Sequence, residues 1–140
     1  MNENKDEADI LWVYDMMGKL NVSQHNMCSC SVTCVGDIVL INTSNGVDES
    51  HITLPSPEAP SFIALNRDTG KLLWTDKSPG NNILHGQWSS PAYAEIGGRK
   101  QAIFAGGDGW IYSFDPAGDG NGNPKLDRNR KTVHRVDDKT

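Results

Sequence analysis

The sequence predicts an all-β fold made of repeated four-stranded antiparallel units. Three observations predict it. Apolar residues come in runs of four or five, such as Ile38-Val39-Leu40-Ile41 and Phe62-Ile63-Ala64-Leu65, which is strand length rather than helix length. Gly, Asn and Asp punctuate those runs, in a chain of 140 residues with 14 glycines and 7 prolines. One order of segments also occurs twice: His25-Asn26-Met27-Cys28-Ser29-Cys30-Ser31 lies over His85-Gly86-Gln87-Trp88-Ser89-Ser90-Pro91 at an offset of 85 minus 25, or 60 residues.

The elements follow in chain order. Residues 1–9 are a polar tail. Ile10-Leu11-Trp12 reads as the closing strand of a unit (10–20), and Met16-Met17 through Asn21 holds one helical turn. The first complete unit runs from 25 to 76. Its strands are Val32 to Val35, Ile38 to Ile41, Phe62 to Asn66 and Lys71 to Trp74, with turns at Gly36-Asp37, Asn45-Gly46 and Asp68-Thr69-Gly70. Asn-Gly and Asp-Gly between apolar runs supply the positive φ angles of two-residue hairpin turns. A proline-containing loop, 47–60, interrupts this unit. The second unit, 85–118, repeats the order with Ala92 to Glu95, Ala102 to Ala105 and Ile111 to Asp115, turning at Gly97-Gly98 and Asp108-Gly109. It shows no fourth strand like Lys71 to Trp74. A Gly/Asn-rich loop follows from 119, and the charged stretch from Asp127 to 140 has too little apolar content to order itself. Four short antiparallel strands per unit make one blade of a β-propeller, with the recurring Trp12 and Trp74 packed between blades.

Composition excludes several classes. The net charge is -5 with both signs mixed along the chain, so no basic stripe marks a nucleic-acid surface. The apolar runs are far too short to span a bilayer. The start, Met1 to Ile10, is acidic and polar, unlike a secretory signal.

Two signatures resemble a known family. Phe62-Ile63-Ala64-Leu65-Asn66-Arg67-Asp68-Thr69-Gly70-Lys71-Leu72-Leu73-Trp74 resembles the A-x-D-x-x-T-G-K-x-x-W signature of pyrroloquinoline-quinone (PQQ)-type propeller repeats. Ser89-Ser90-Pro91-Ala92, followed by Gly106-Gly107-Asp108-Gly109-Trp110-Ile111-Tyr112-Ser113-Phe114-Asp115, resembles the other half of the same repeat. The resemblance runs over residues 10–120. It implies a propeller fold, repeat-defining roles for Trp12, Gly70, Trp74 and Asp115, and a periplasmic or other extracytoplasmic setting. The family holds quinoprotein dehydrogenases, and also scaffold proteins that bind no quinone. A dehydrogenase of this family would need PQQ, calcium and a disulfide between adjacent cysteines. The nearest pair here is Cys28-Ser29-Cys30, and no calcium constellation of the family's kind is identifiable.

The candidate site residues come from the repeat entrances. His85-Gly86-Gln87-Trp88-Ser89-Ser90-Pro91 offers a base and two hydroxyls, but a serine–histidine hydrolase also needs an orienting acid and an oxyanion hole. Its recurrence at position 25 makes it repeat punctuation first. His25, His85, Gln87, Trp88, Asp108 and Trp110 are the candidates for ligand or partner contact. Asp48, Glu49 and His51 on the inserted loop could add metal or substrate contacts, or the loop could be a solvated surface loop. His25, Cys28, Cys30 and Cys34 can be drawn as a zinc site, although the cysteine spacing favours small buried residues on a strand. Asp119, Asn121, Asn123 and Asp127 alternate like the front of a calcium loop. Pro124 and Arg130 depart from that loop, which leaves a flexible turn as the plainer reading.

Two functions stand. The first is a non-catalytic propeller segment, with no cofactor, that offers a binding or assembly surface. Its partners would be the remaining blades of a parent propeller, another protein, or a second copy, because the chain supplies roughly two and a half of the four to eight blades of a propeller. The second is part of a PQQ- and calcium-dependent alcohol or sugar dehydrogenase.

Overall fold

The computed structural model describes residues 8–26 and 28–126. Asp127 and the charged tail expected to be disordered lie outside the described residues, as do most of the N-terminal tail and Met27. The described chain is all-β: two four-stranded antiparallel sheets, each in simple up-and-down order, as in a propeller-like segment. The first blade comprises β1 (Thr33–Val35), β2 (Ile38–Asn42), β3 (Phe62–Asn66) and β4 (Leu72–Asp76). The second comprises β5 (Ala92–Ile96), β6 (Arg99–Ala105), β7 (Ile111–Asp115) and β8 (Lys125–Leu126). The helical turn is present as α1 (Met16–Leu20), capped by the Asp15 carboxylate on the Gly18 N–H and closed by Asn21 at φ 56°.

The turns are where glycine is needed. Gly97 and Gly98, at φ 60° and 74°, form the two-residue link between β5 and β6. Asn45-Gly46 differs from its expected role. Asn45 is buried and bridges Gln24 instead of turning a hairpin. Gly46 is needed for close approach: a Cβ there would lie 2.6 Å from the His85 carbonyl oxygen and 2.8 Å from the His25 Cβ. The second blade also gains a strand that its sequence did not announce, with β8 pairing Lys125 opposite Asp115 and Leu126 opposite Phe114.

Strand alternation sets the faces. Leu40, Phe62, Ala64 and Trp74 face the second blade and join Ala102, Phe104 and Phe114 in one buried cluster. Ring centroids there are 4.7 Å apart for Phe62–Phe104 and 5.5 Å for Trp74–Phe114. The buried Leu and Phe side chains there contribute about 1.5–3 kcal/mol each, so this inter-blade seam is the main core. A register shift between Ala64 and Leu65 lets Leu73 as well as Trp74 reach it.

Two tryptophans, Trp74 at the seam and Trp12 on the opposite face of the first blade, make the same bond. Trp74 Nε1 donates to the Pro116 carbonyl at 2.8 Å, and its ring lies where a Cβ on Gly118 would stand. Trp12 Nε1 donates to the Arg67 carbonyl at 2.7 Å, and its ring lies where a Cβ on Gly70 would stand. Arg67 and Pro116 each follow the third strand of their blade. In the turns beyond, Asn66 Oδ1 accepts from the Asp68 and Thr69 N–H groups, as Asp115 Oδ1 does from Ala117.

Candidate functional site

The two blade entrances meet at one end of the segment, and the inserted loop joins them. Backbone bonds set the meeting. His25 N–H donates to the Ser44 carbonyl, Gly46 N–H to Ser23, and Val47 N–H to the His85 carbonyl at 2.8 Å. Because Gly46 carries no side chain, His25 and His85 come together across it. Ser90 Oγ accepts the Ser31 N–H, and Thr33 Oγ1 donates to the Pro91 carbonyl, tying the same entrances a few residues on.

His51 arrives from the loop. The Asp48 carboxylate accepts from the Ser50 N–H and hydroxyl, which close the turn and hold its pKa below the ordinary value. His51 then sits at φ 60°, a left-handed conformation that costs a non-glycine residue about 1–2 kcal/mol. Its ring stacks on His85 with centroids 4.7 Å apart, and both meet His25 edge-on, at 4.8 and 4.3 Å. His51 Nδ1 and His85 Nε2 face each other at 3.2 Å. One ligand atom from each of the three histidines lies within 4.8 Å of the others.

The protonation pattern follows from the partners. His25 is buried, and its Nδ1 donates to the Val47 carbonyl at 2.7 Å. That leaves Nε2 as the acceptor, which the Asn26 amide meets at 3.0 Å. Desolvation lowers the His85 pKa, and the neighbouring His25 and His51 lower it further by charge repulsion. Trp88 walls the cluster, 5.6 Å from His85 and 5.8 Å from His25 between ring centroids.

The remaining candidates serve other places. Gln87 is buried; its amide donates to the Asn45 carbonyl and to Ser61 Oγ, and its Oε1 accepts the Gly107 N–H. It ties the two blades together below the histidines. Asp108 accepts from the Trp110 N–H and the Tyr112 hydroxyl, which burial and this carboxylate hold in the protonated form. Trp110 is half-buried, and its carbonyl closes the same turn on Gly106. Asp119 spends its carboxylate on the Asn121 and Asn123 N–H groups and the Asn123 side-chain amide, so these three residues staple their own loop.

The cysteines are free thiols, and they are more exposed than a buried-strand reading expects. Cys28 and Cys30 precede β1 on irregular backbone, with sulfurs 3.9 Å apart. Burial, and then Cys28 beside it, raises the Cys30 pKa. On the far side of the first blade these two and Cys34 border an apolar hollow of about 370 Å³ with Trp12, Tyr14 and Val32. A quinone–calcium group of the family's kind does not fit the described residues. The cysteine pair is not adjacent, the Asp119 carboxylate is turned onto its own loop, and the clustered donors are imidazole nitrogens rather than the oxygens calcium takes.

No family model matches the chain, and no curated protein matches it. Solved structures similar to it include two quinohemoprotein alcohol dehydrogenases. The quinohemoprotein alcohol dehydrogenase of Comamonas testosteroni aligns at 22% identity and TM-score 0.43, over 69% of this chain and 19% of that one. The quinohemoprotein alcohol dehydrogenase ADHIIG of Pseudomonas putida HK5 aligns at 21% identity and TM-score 0.42, over 72% of this chain and 19% of that one. The chain thus spans about a fifth of the length of these proteins.

Proposed function

We propose that the chain is a non-catalytic propeller segment serving as a binding or assembly surface, its outer sheet faces covered by further blades of a larger propeller. The observation that carries this reading is the equivalence of Trp12 and Trp74. Trp74 comes from the fourth strand of one blade and bonds the residue after the third strand of the next. Trp12 makes the same bond to the first blade, so residues 10–20, which form no strand here, take the place of the closing end of a preceding blade. The hollow beside it, floored by Val39, Ile41 and Leu65, is then the seat of that blade. Exposed Ile96 and Ile111 on the outer face of the second blade offer a second seat. The repeat signatures add an extracytoplasmic setting, periplasmic in a cell with two membranes.

A native mass spectrum of the full chain, with and without calcium and PQQ, tests this. Heterogeneous self-association without bound PQQ or calcium is expected. A discrete oligomer loaded with both would overturn the reading in favour of a quinoprotein dehydrogenase part. A monodisperse apo monomer that melts cooperatively would also overturn it, because uncovered blade faces should not behave so.

A further inference from the structure

We propose that His25, His51 and His85 form a three-imidazole site for a divalent transition-metal ion of the zinc class. The site does not depend on how the outer faces are covered. Three of the chain's four histidines meet here from three separate segments, two blade entrances and an inserted loop. Among the described residues this is the grouping of His, Cys, Asp or Glu whose ligand atoms converge.

The spacing suits the ion. Zinc–imidazole bonds of about 2.0–2.1 Å at tetrahedral angles place two ligand nitrogens about 3.3 Å apart. His51 Nδ1 and His85 Nε2 already stand 3.2 Å apart. One nitrogen from each of the three rings lies within 4.8 Å of the others, so side-chain shifts of about 1–1.5 Å, with the stacked His51 and His85 rings turning toward the ion, close the set to the tetrahedral spacing. The orienting shell is also in place. Metal-binding histidines usually donate their other ring N–H to a carbonyl or carboxylate, and His25 Nδ1 does this to Val47 at 2.7 Å. Asn26, which now meets His25 Nε2, is exposed and free to swing away. Imidazole nitrogens select zinc, copper or nickel over calcium or magnesium. Because His51 and His85 lie at the surface, the fourth position faces solvent, as in zinc sites with three protein ligands.

Without metal, the same geometry is a histidine–histidine hydrogen bond that pins the loop. Zinc titration separates the two. Chelator-stripped full-length chain, titrated with zinc sulfate in a chromophoric competition assay, should take up one zinc per chain. His51→Ala and His85→Ala should each weaken it at least a hundredfold, beyond the roughly 10–100-fold that loss of an orienting partner costs. The Cys28→Ser/Cys30→Ser double variant should bind like the parent, and cobalt(II) should give four-coordinate visible bands without thiolate charge transfer. His51 is on an exposed loop, so circular dichroism of His51→Ala should match the parent. Unchanged zinc affinity in His51→Ala, loss of binding in the cysteine variant, or no stoichiometric uptake by the parent would each overturn the site.

Discussion

Gly46 lets two blade entrances touch. A methyl group there would meet the His85 carbonyl oxygen at 2.6 Å, so Gly46→Ala should cost about 1–3 kcal/mol as an overpacked site. It should also scatter the histidines and weaken zinc uptake. Gly36→Ala is the control: at φ 62° with open space around it, it should cost about 1–2 kcal/mol in backbone strain and leave zinc uptake alone. Denaturant midpoints and zinc titrations of both variants check this. Asp76 makes a pH prediction. Burial raises its pKa, the bonds from Ser78 partly offset this, and the Asp108 charge adds to the rise. A raised folded pKa contributes stability below the unfolded value, about 3.9, and that contribution is lost as pH rises through the folded value. Asp76→Asn should therefore gain on the parent at neutral pH and lose that gain near pH 4, read from denaturant midpoints at the two pH values. At this scale the sequence was legible where it repeated itself. His25 and His85 stood out because they align, whereas His51 sits in an aperiodic loop whose landing point no local pattern encodes. Asn45-Gly46 misled because a hairpin turn and a close backbone approach both select glycine.

At the scale of elements, the tryptophan bond sets the order of losses. Trp74→Phe keeps a ring among Phe104 and Phe114 but leaves the Pro116 carbonyl without its donor, which should cost about 1–3 kcal/mol. Trp12→Phe breaks the equivalent bond at a more exposed site and should cost less, about 0.5–1.5 kcal/mol. Denaturant midpoints of the two variants rank them. Six of the eight strands were legible within a residue or two, because apolar runs bounded by glycine turns leave little choice; β6 starts three residues before its apolar run, at exposed Arg99 and Lys100, which carry no apolar signal. β8 was not legible, since a strand of two residues is too short to show an alternation. The loop before it looked like half a calcium loop because Asp and Asn serve equally as metal ligands and as caps of their own turn.

At the scale of the whole molecule, one blade face is sealed on each side of the seam and one is left open. Val32, 54% exposed, and Ile111, 45% exposed, mark the two open faces. Val32→Lys with Ile111→Lys should shift the chain toward monomer in analytical ultracentrifugation while its circular dichroism stays the same, since a buried lysine opposes docking. The tryptophan bond also gives the array a direction in time. Its donor always comes earlier in the chain: the acceptor of Trp74 lies 42 residues later and that of Trp12 lies 55 later. At about 5–20 residues per second of synthesis, the Trp74 indole waits roughly 2–8 s for its partner to be made. A nascent chain of this kind therefore holds the Trp74 indole without its Pro116 acceptor for that interval, and whatever binds exposed indoles has those seconds in which to act.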